Sequence, residues 1–210
     1  MTESITVNIH SSIRIQDGVR VIYIDPFRIS GTPWDADFIL ITHDHYDHFS
    51  PEDIRKVANH DTILVVPAMM MGKASEVAGI VGDIRMVKPE EIGDIGGLAY
   101  ETVPAYNTGK AFHQRSAGWV GYILTVNDTR IYIAGDTDRT PENESVNCDI
   151  AMIPIGGTFT MDAREAAELV NKIKPQVAIP IHYGSIAGSK GDEDIFRELV
   201  NPDIKVEIKL

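Results

Sequence analysis

The chain has one cysteine, Cys148, in 210 residues. That excludes an intrachain disulfide and any metal site built from several thiolates, so a metal here must take imidazole and carboxylate ligands. Such donors point to a hydrolytic rather than a structural zinc site. Clusters of Lys and Arg are missing as well: 19 basic residues stand against 31 acidic ones, a formal net charge of -12. Binding along a phosphate backbone depends on many basic side chains displacing counterions, so nucleic acid is not the expected partner. No apolar run approaches the roughly 18 residues of a membrane span. The opening "MTESITVNIHSSIRI" also lacks the basic and continuous apolar stretches of a secretory leader, which makes the cytoplasm the expected location. The length suits one domain over residues 1–210.

What is present is ordered in two β-rich series, each ending in helices. "SITVNIH", "SIRIQ" and "VRVIYIDP" are short β-branched runs around a "QDG" turn, and they predict an antiparallel meander. "DFILIT" then reads as a buried strand, and "SPEDIRKVA" as a helix with Ser50 as N-cap and Pro51 at its first position. "TILVVP" and "IRMVKP" flank a helical segment near "AMMMGKASEVA", whose Met69, Met70 and Met71 suit core or pocket wall. "YETVPAYN", "WVGYILTV" and "RIYIAGD" open the second series. "DIAMIPIGG", "MDAREAAELVNKI", "VAIPIHYG" and "DEDIFRELV" then alternate strand and helix before a final "KVEIK".

Histidine is sparse, seven in all, yet "FILITHDHYDHFSPEDI" places His43, His45 and His48 within six positions, with Asp44 and Asp47 between them. The cluster falls between a strand and a capped helix. With the backbone extended, the i, i+2 spacing aims the imidazoles of His43 and His45 to one side, while Asp47 and His48 follow as the chain turns. Imidazole nitrogen and carboxylate oxygen are zinc's usual ligands, and a catalytic site keeps one position open for water. Two later strands end in the same residue types, Asp136 in "RIYIAGDTD" and His182 in "VAIPIHYG".

"THDHYDH", "AGDTD" and "IPIHYG" together resemble the metallo-β-lactamase fold superfamily, in matching order and across nearly the whole chain. "PIGGTFTMDAREAA", "VPAYN" and the early "HSS" are similar to small stand-alone metal-dependent hydrolases related to ascorbate-phosphate lactonase and the N-acyl-phosphatidylethanolamine phospholipase. The resemblance implies an α/β fold, a four-layer αββα sandwich, with a dinuclear site. It assigns His43 and His45 to a first metal, Asp47, His48 and His182 to a second, and Asp136 to a bridge. The metals would be two zinc ions, with manganese or iron as substitutes. The first site normally has a third histidine shortly before the bridging aspartate. After "PAY" this chain has Asn107, and the nearest histidine is His113. Either His113 folds back as the ligand, or Asn107 and water fill the place.

The implied activity is hydrolysis of a small-molecule ester, lactone or phosphodiester by a metal-bridging hydroxide, with Asp47 orienting it and water, His113 or Tyr183 as proton donor to the leaving group. The alternatives are an iron-binding redox protein on the same fold, against which the intact His45 argues, and a catalytically silent metal-binding module. Asp25, at the end of "YIDP", suits a carboxylate that accepts a ligand histidine's other N–H. A turn-capping role before Pro26 suits it nearly as well. His10 in "NIHSS" is either near the site or a half-buried strand residue. Gly156 and Gly157 suit a tight turn beside the pocket.

Overall fold

The computed structural model describes residues 2–210. They divide into two compact units, one ending at Lys88 and one beginning at Pro89. Among the described residues no helix is long and apolar enough to cross a membrane.

The first unit is a six-stranded mixed sheet. β1 (Ile5–Ile9), β2 (Ser12–Gln16) and β3 (Val21–Ile24) form the expected antiparallel meander. Then the sheet turns parallel: β4 (Phe38–Leu40) pairs with β3, and α1 (Pro51–Val57) leads to β5 (Ile63–Pro67) beside β4. α2 (Met71–Ala74) precedes β6 (Asp83–Val87), the far edge. β1 buries Ile5 and Val7 and exposes Thr6 and Asn8, as a one-faced antiparallel strand does, whereas β3 and β4 are buried throughout, as parallel strands are. Ile39, Ile41, Ile54, Val57, Leu64, Val66 and Val77 form its core. Of the three consecutive methionines only Met70 joins it; Met69 and Met71 are exposed, because the short 3₁₀ and α turns at Ala68–Ala74 aim successive residues in different directions.

Ser50 caps α1 as expected, accepting from the Asp53 amide at 3.2 Å. Asp53 does more than its position in the first turn suggests: its carboxylate accepts from the Arg28 and Ile29 amides, each at 2.9 Å, from Ser50 Oγ at 2.8 Å and from Lys56 Nζ at 2.9 Å. It thus fastens the 26–30 loop to the helix. Desolvation opposes its charge, yet the bonds from Lys56, Ser50, Ile29 and Arg28 hold the carboxyl below its ordinary value. Asp53→Ala is expected to cost about 2 kcal/mol and to lower the thermal midpoint by about 4–8 °C. Because the folded-state pKa is depressed, that difference is full above roughly pH 4 and shrinks as pH falls further. Thermal unfolding of both chains across pH checks this, and equal midpoints at neutral pH would contradict it.

The second unit is a seven-stranded mixed sheet with the same progression. β7 (Ile92–Ile95), β8 (Leu98–Pro104), β9 (Val120–Val126) and β10 (Thr129–Ile133) are antiparallel neighbours. β11 (Ile150–Pro154), then α3 (Ala163–Ile173), β12 (Val177–Ile181), α4 (Asp192–Leu199) and β13 (Lys205–Val206) follow, with β10 to β13 parallel. α3 starts at a capping box, Asp162 with Glu165, and buries Ala166, Ala167, Leu169 and Val170 in a core shared with Ile153, Ile155 and Phe196. Asp25, the 43–48 cluster, Asp136 and His182 follow the C-terminal ends of parallel strands, the rim where open α/β sheets place ligands, whereas His10 and His113 lie in connections between antiparallel strands.

Candidate metal centre

In the first unit the cluster occupies the loop between β4 and α1. His43, Asp47 and His48 are buried, while His45 is partly exposed. The rings of His43 and His48 lie 3.9 Å apart between centroids, and those of His43 and His45 4.8 Å. Because β3 and β4 run in parallel, Asp25 emerges beside Thr42, and its amide donates to Leu40 O at 3.0 Å. The Asp25 carboxylate accepts from the Thr42 amide at 2.8 Å, from Thr42 Oγ1 at 2.6 Å and from His48 Nδ1 at 2.7 Å. The bond expected of Asp25, from the ring N–H of a histidine in the cluster, is thus present. Burial pushes this carboxyl up, against the pull of His48 and the Thr42 hydrogen bonds.

These bonds decide tautomers. A carboxylate only accepts, so His48 carries its proton on Nδ1 and presents the Nε2 lone pair. Thr42 Oγ1 gives its proton to Asp25 and is left to accept from His43 Nδ1, 3.0 Å away, which presents Nε2 of His43 in the same way. His10, wholly buried in the β1–β2 turn, donates from Nε2 to Asp47 Oδ2 at 3.2 Å. It holds Asp47 in place. His10, Asp25 and, in the second unit, His182 have φ of 57°, 47° and 59°, a conformation uncommon for non-glycine residues and frequent at functional sites.

In the second unit Asp136 follows β10 and His182 follows β12. Asp136 Oδ2 lies 3.0 Å from His182 Nε2 and 3.4 Å from His113 Nε2, so one carboxylate oxygen stands between two imidazoles. His113 does fold back. The Asn107 amide donates to His113 O at 2.7 Å, and Asn107 Oδ1 lies 3.1 Å from His113 Nδ1. Asn107 thus lies on the Nδ1 side of the imidazole and Asp136 on its Nε2 side. Asp138 gathers this loop, accepting from the Thr108 amide, from Lys110 Nζ and from Asn107 Nδ2 at 2.9, 2.6 and 3.1 Å.

Gly156, after β11, is required for a packing reason: a Cβ there would meet His182 O at 2.3 Å. Gly157, with φ of 78°, turns the chain back toward Asp162. Gly156→Ala is expected to displace the His182 turn and destabilise the chain by about 1–3 kcal/mol, measurable by denaturant titration; wild-type stability would contradict the close approach. Tyr183 follows His182 directly. Its ring belongs to the core with Phe196, and burial beneath the charges of α4 pushes its hydroxyl up to about 12. Thr42, Asp138 and Lys110 are participants that the motifs did not single out. For Asp138 the signal was available, a second acid two residues after Asp136 in "GDTD".

The donors fit a divalent ion of zinc's kind: imidazole nitrogens whose opposite N–H groups are held by Asp25, Thr42 and Asn107, together with buried carboxylates. Within the first unit, ligand atoms of His10, Asp47 and His48 lie within 4.8 Å of one another, as do those of His43 and His45.

Comparison with known proteins agrees. Residues 4–182 match the family model described as a β-lactamase superfamily domain. A UPF0173 metal-dependent hydrolase of Methanopyrus kandleri is 31% identical, with 95% of this chain and 92% of that protein aligned. Another, from Thermococcus kodakarensis, is 33% identical over the same shares. The crystal structure of a candidate metal-dependent hydrolase from Parabacteroides distasonis superposes with a TM-score of 0.80 at 30% identity, covering 98% of this chain and 92% of that one. A metallo hydrolase from Ignicoccus hospitalis, at 21% identity, shares the fold with a TM-score of 0.76 over 97% and 93% of the two chains. By sequence and fold alike, the chain belongs to the β-lactamase superfamily, in the family of UPF0173 metal-dependent hydrolases.

Proposed function

We propose that the two ligand sets act together as a dinuclear zinc centre that hydrolyses a small-molecule ester, lactone or phosphodiester. His43, His45 and His113 are assigned to one ion, Asp47, His48 and His182 to the other, and Asp136 to both. The observation that carries this reading is Asp136 Oδ2 between His113 and His182, one histidine from each assigned group. When bound, two such ions supply a hydroxide near neutral pH and polarise a carbonyl or phosphoryl oxygen.

Asp47, held through Oδ2 by His10, is assigned to orient the attacking water. His113 is read as a ligand rather than an acid, since its Nδ1 proton is engaged by Asn107. The preference for lactones and phosphodiesters rests on the resemblance of "VPAYN" and "PIGGTFTMDAREAA" to the small stand-alone hydrolases. The test is turnover of a p-nitrophenyl ester, a chromogenic lactone and bis(p-nitrophenyl) phosphate, before and after chelation. Activity lost to chelator and restored by zinc, or less fully by manganese or iron, is expected for at least one substrate. Turnover that survives complete metal removal would overturn the reading.

A further inference from the structure

The 107–113 loop contains a side-chain amide whose every polar atom has a defined partner. Asn107 Nδ2 donates to Asp138 Oδ1 at 3.1 Å and to Phe159 O at 2.9 Å. Neither acceptor can donate back, so the amide cannot be flipped. On its other side Oδ1 accepts from the His113 backbone N–H at 3.2 Å, a donor of fixed identity. The same oxygen faces His113 Nδ1 at 3.1 Å. An oxygen that can only accept favours a proton on Nδ1 of this ring, whose Nε2 faces Asp136 Oδ2 at 3.4 Å. Asn107 is 8% exposed and His113 is wholly buried, so water does not compete for these bonds as it would at the surface.

We propose that Asn107 is a positioning residue of the metal centre: its side-chain oxygen selects the Nδ1–H tautomer of His113 and so commits Nε2 to metal. The claim rests on the proposed role of His113 as a ligand. On this reading the histidine stands six residues beyond the usual ligand position, with Asn107 as its support. Asp138 and Lys110 act one step further out. Lys110 Nζ donates to Asp138 Oδ1 and to Thr160 O, both at 2.6 Å, which fixes the carboxylate that orients the amide.

Two variants of the full chain separate positioning from simple loop support. Asn107→Leu removes the acceptor and both donors at similar volume. Asn107→Asp, made together with Asp138→Asn so that two carboxylates do not face each other at 3.1 Å, keeps an acceptor toward His113 and loses the donation to Phe159. If Asn107 only braced the loop, Asp would be at least as damaging as Leu. If it selects the tautomer, Asp largely rescues. Zinc affinity measured by competition with a chromophoric chelator should fall about 10–100-fold for one of the two ions in the Leu variant, and much less in the Asp variant.

The second readout needs no metal. Ring ¹⁵N NMR of the metal-free wild-type chain at alkaline pH, with His113→Gln to assign the signal, should show the His113 proton on Nδ1. A wild-type ring with no proton on Nδ1 would overturn the proposal, as would wild-type zinc affinity in a folded Leu variant or an Asp variant no better than Leu. Should the Leu variant fail to fold, the wild-type tautomer and the Asp variant still decide. A wild-type chain that binds no zinc would instead overturn the dinuclear reading, and the tautomer would be judged separately by NMR.

Discussion

Asp136→Ala is expected to lower metal-dependent turnover by more than about 10³-fold, in the range reached when an enzyme loses a group that organises transition-state charge. Bound metal should fall at the same time, from about two ions per chain to about one or fewer, since the variant removes the only carboxylate assigned to both ions. The expectation follows from Oδ2 standing 3.0 Å from one imidazole and 3.4 Å from the other. Asp136→Asn separates chemistry from packing, because it keeps the volume of this buried residue and removes its charge. Turnover and metal content are both measured. Full activity in either variant would refute a bridging role for Asp136.

Asp25→Ala should combine the largest loss of stability with a loss of metal. Three buried donors, the Thr42 amide, Thr42 Oγ1 and His48 Nδ1, all end on this carboxylate. Removing the acceptor strands them in a site almost closed to water. An expected cost of about 3–5 kcal/mol follows, with a fall of about 6–20 °C in the thermal midpoint. His48 also loses the partner that fixes its ring, so zinc binding at the ion assigned to it should weaken about 10–100-fold. Thermal scans with and without zinc distinguish the two effects: the metal-free chain reports the stranded donors, and the smaller zinc-induced rise reports the disoriented ring. An unchanged midpoint in the metal-free variant would contradict the structural role.

Much of this was legible in the sequence because it is local. The Ser50–Pro51 cap, the meander of β1 to β3 and the strand ends at Asp136 and His182 each depend on a few adjacent residues, and the structure shows them where the pattern puts them. The contact between Asn107 and His113 was not legible. It turns on a backbone bond across six residues and on the distant partners Asp138 and Phe159, which have no periodic signature. The surroundings of Tyr183 were not legible for a related reason: the charges near it come from α4, and "IHYG" does not announce which helix covers it. "KVEIK" alternates well enough for five strand residues, yet the strand is only Lys205–Val206, in register with Val177 and Ala178 of β12, and Glu207 adds one amide bond to Ala178 O. Strand length there is decided by the neighbouring strand rather than by propensity.

The most direct test of the dinuclear account is metal content by plasma emission spectroscopy on chain purified without added metal, beside His43→Ala and His182→Ala. The account predicts about two ions per wild-type chain, zinc foremost, and about one in each variant, since each loses a ligand of a different ion. A wild-type chain that carries no ion and takes up none from excess zinc would contradict it.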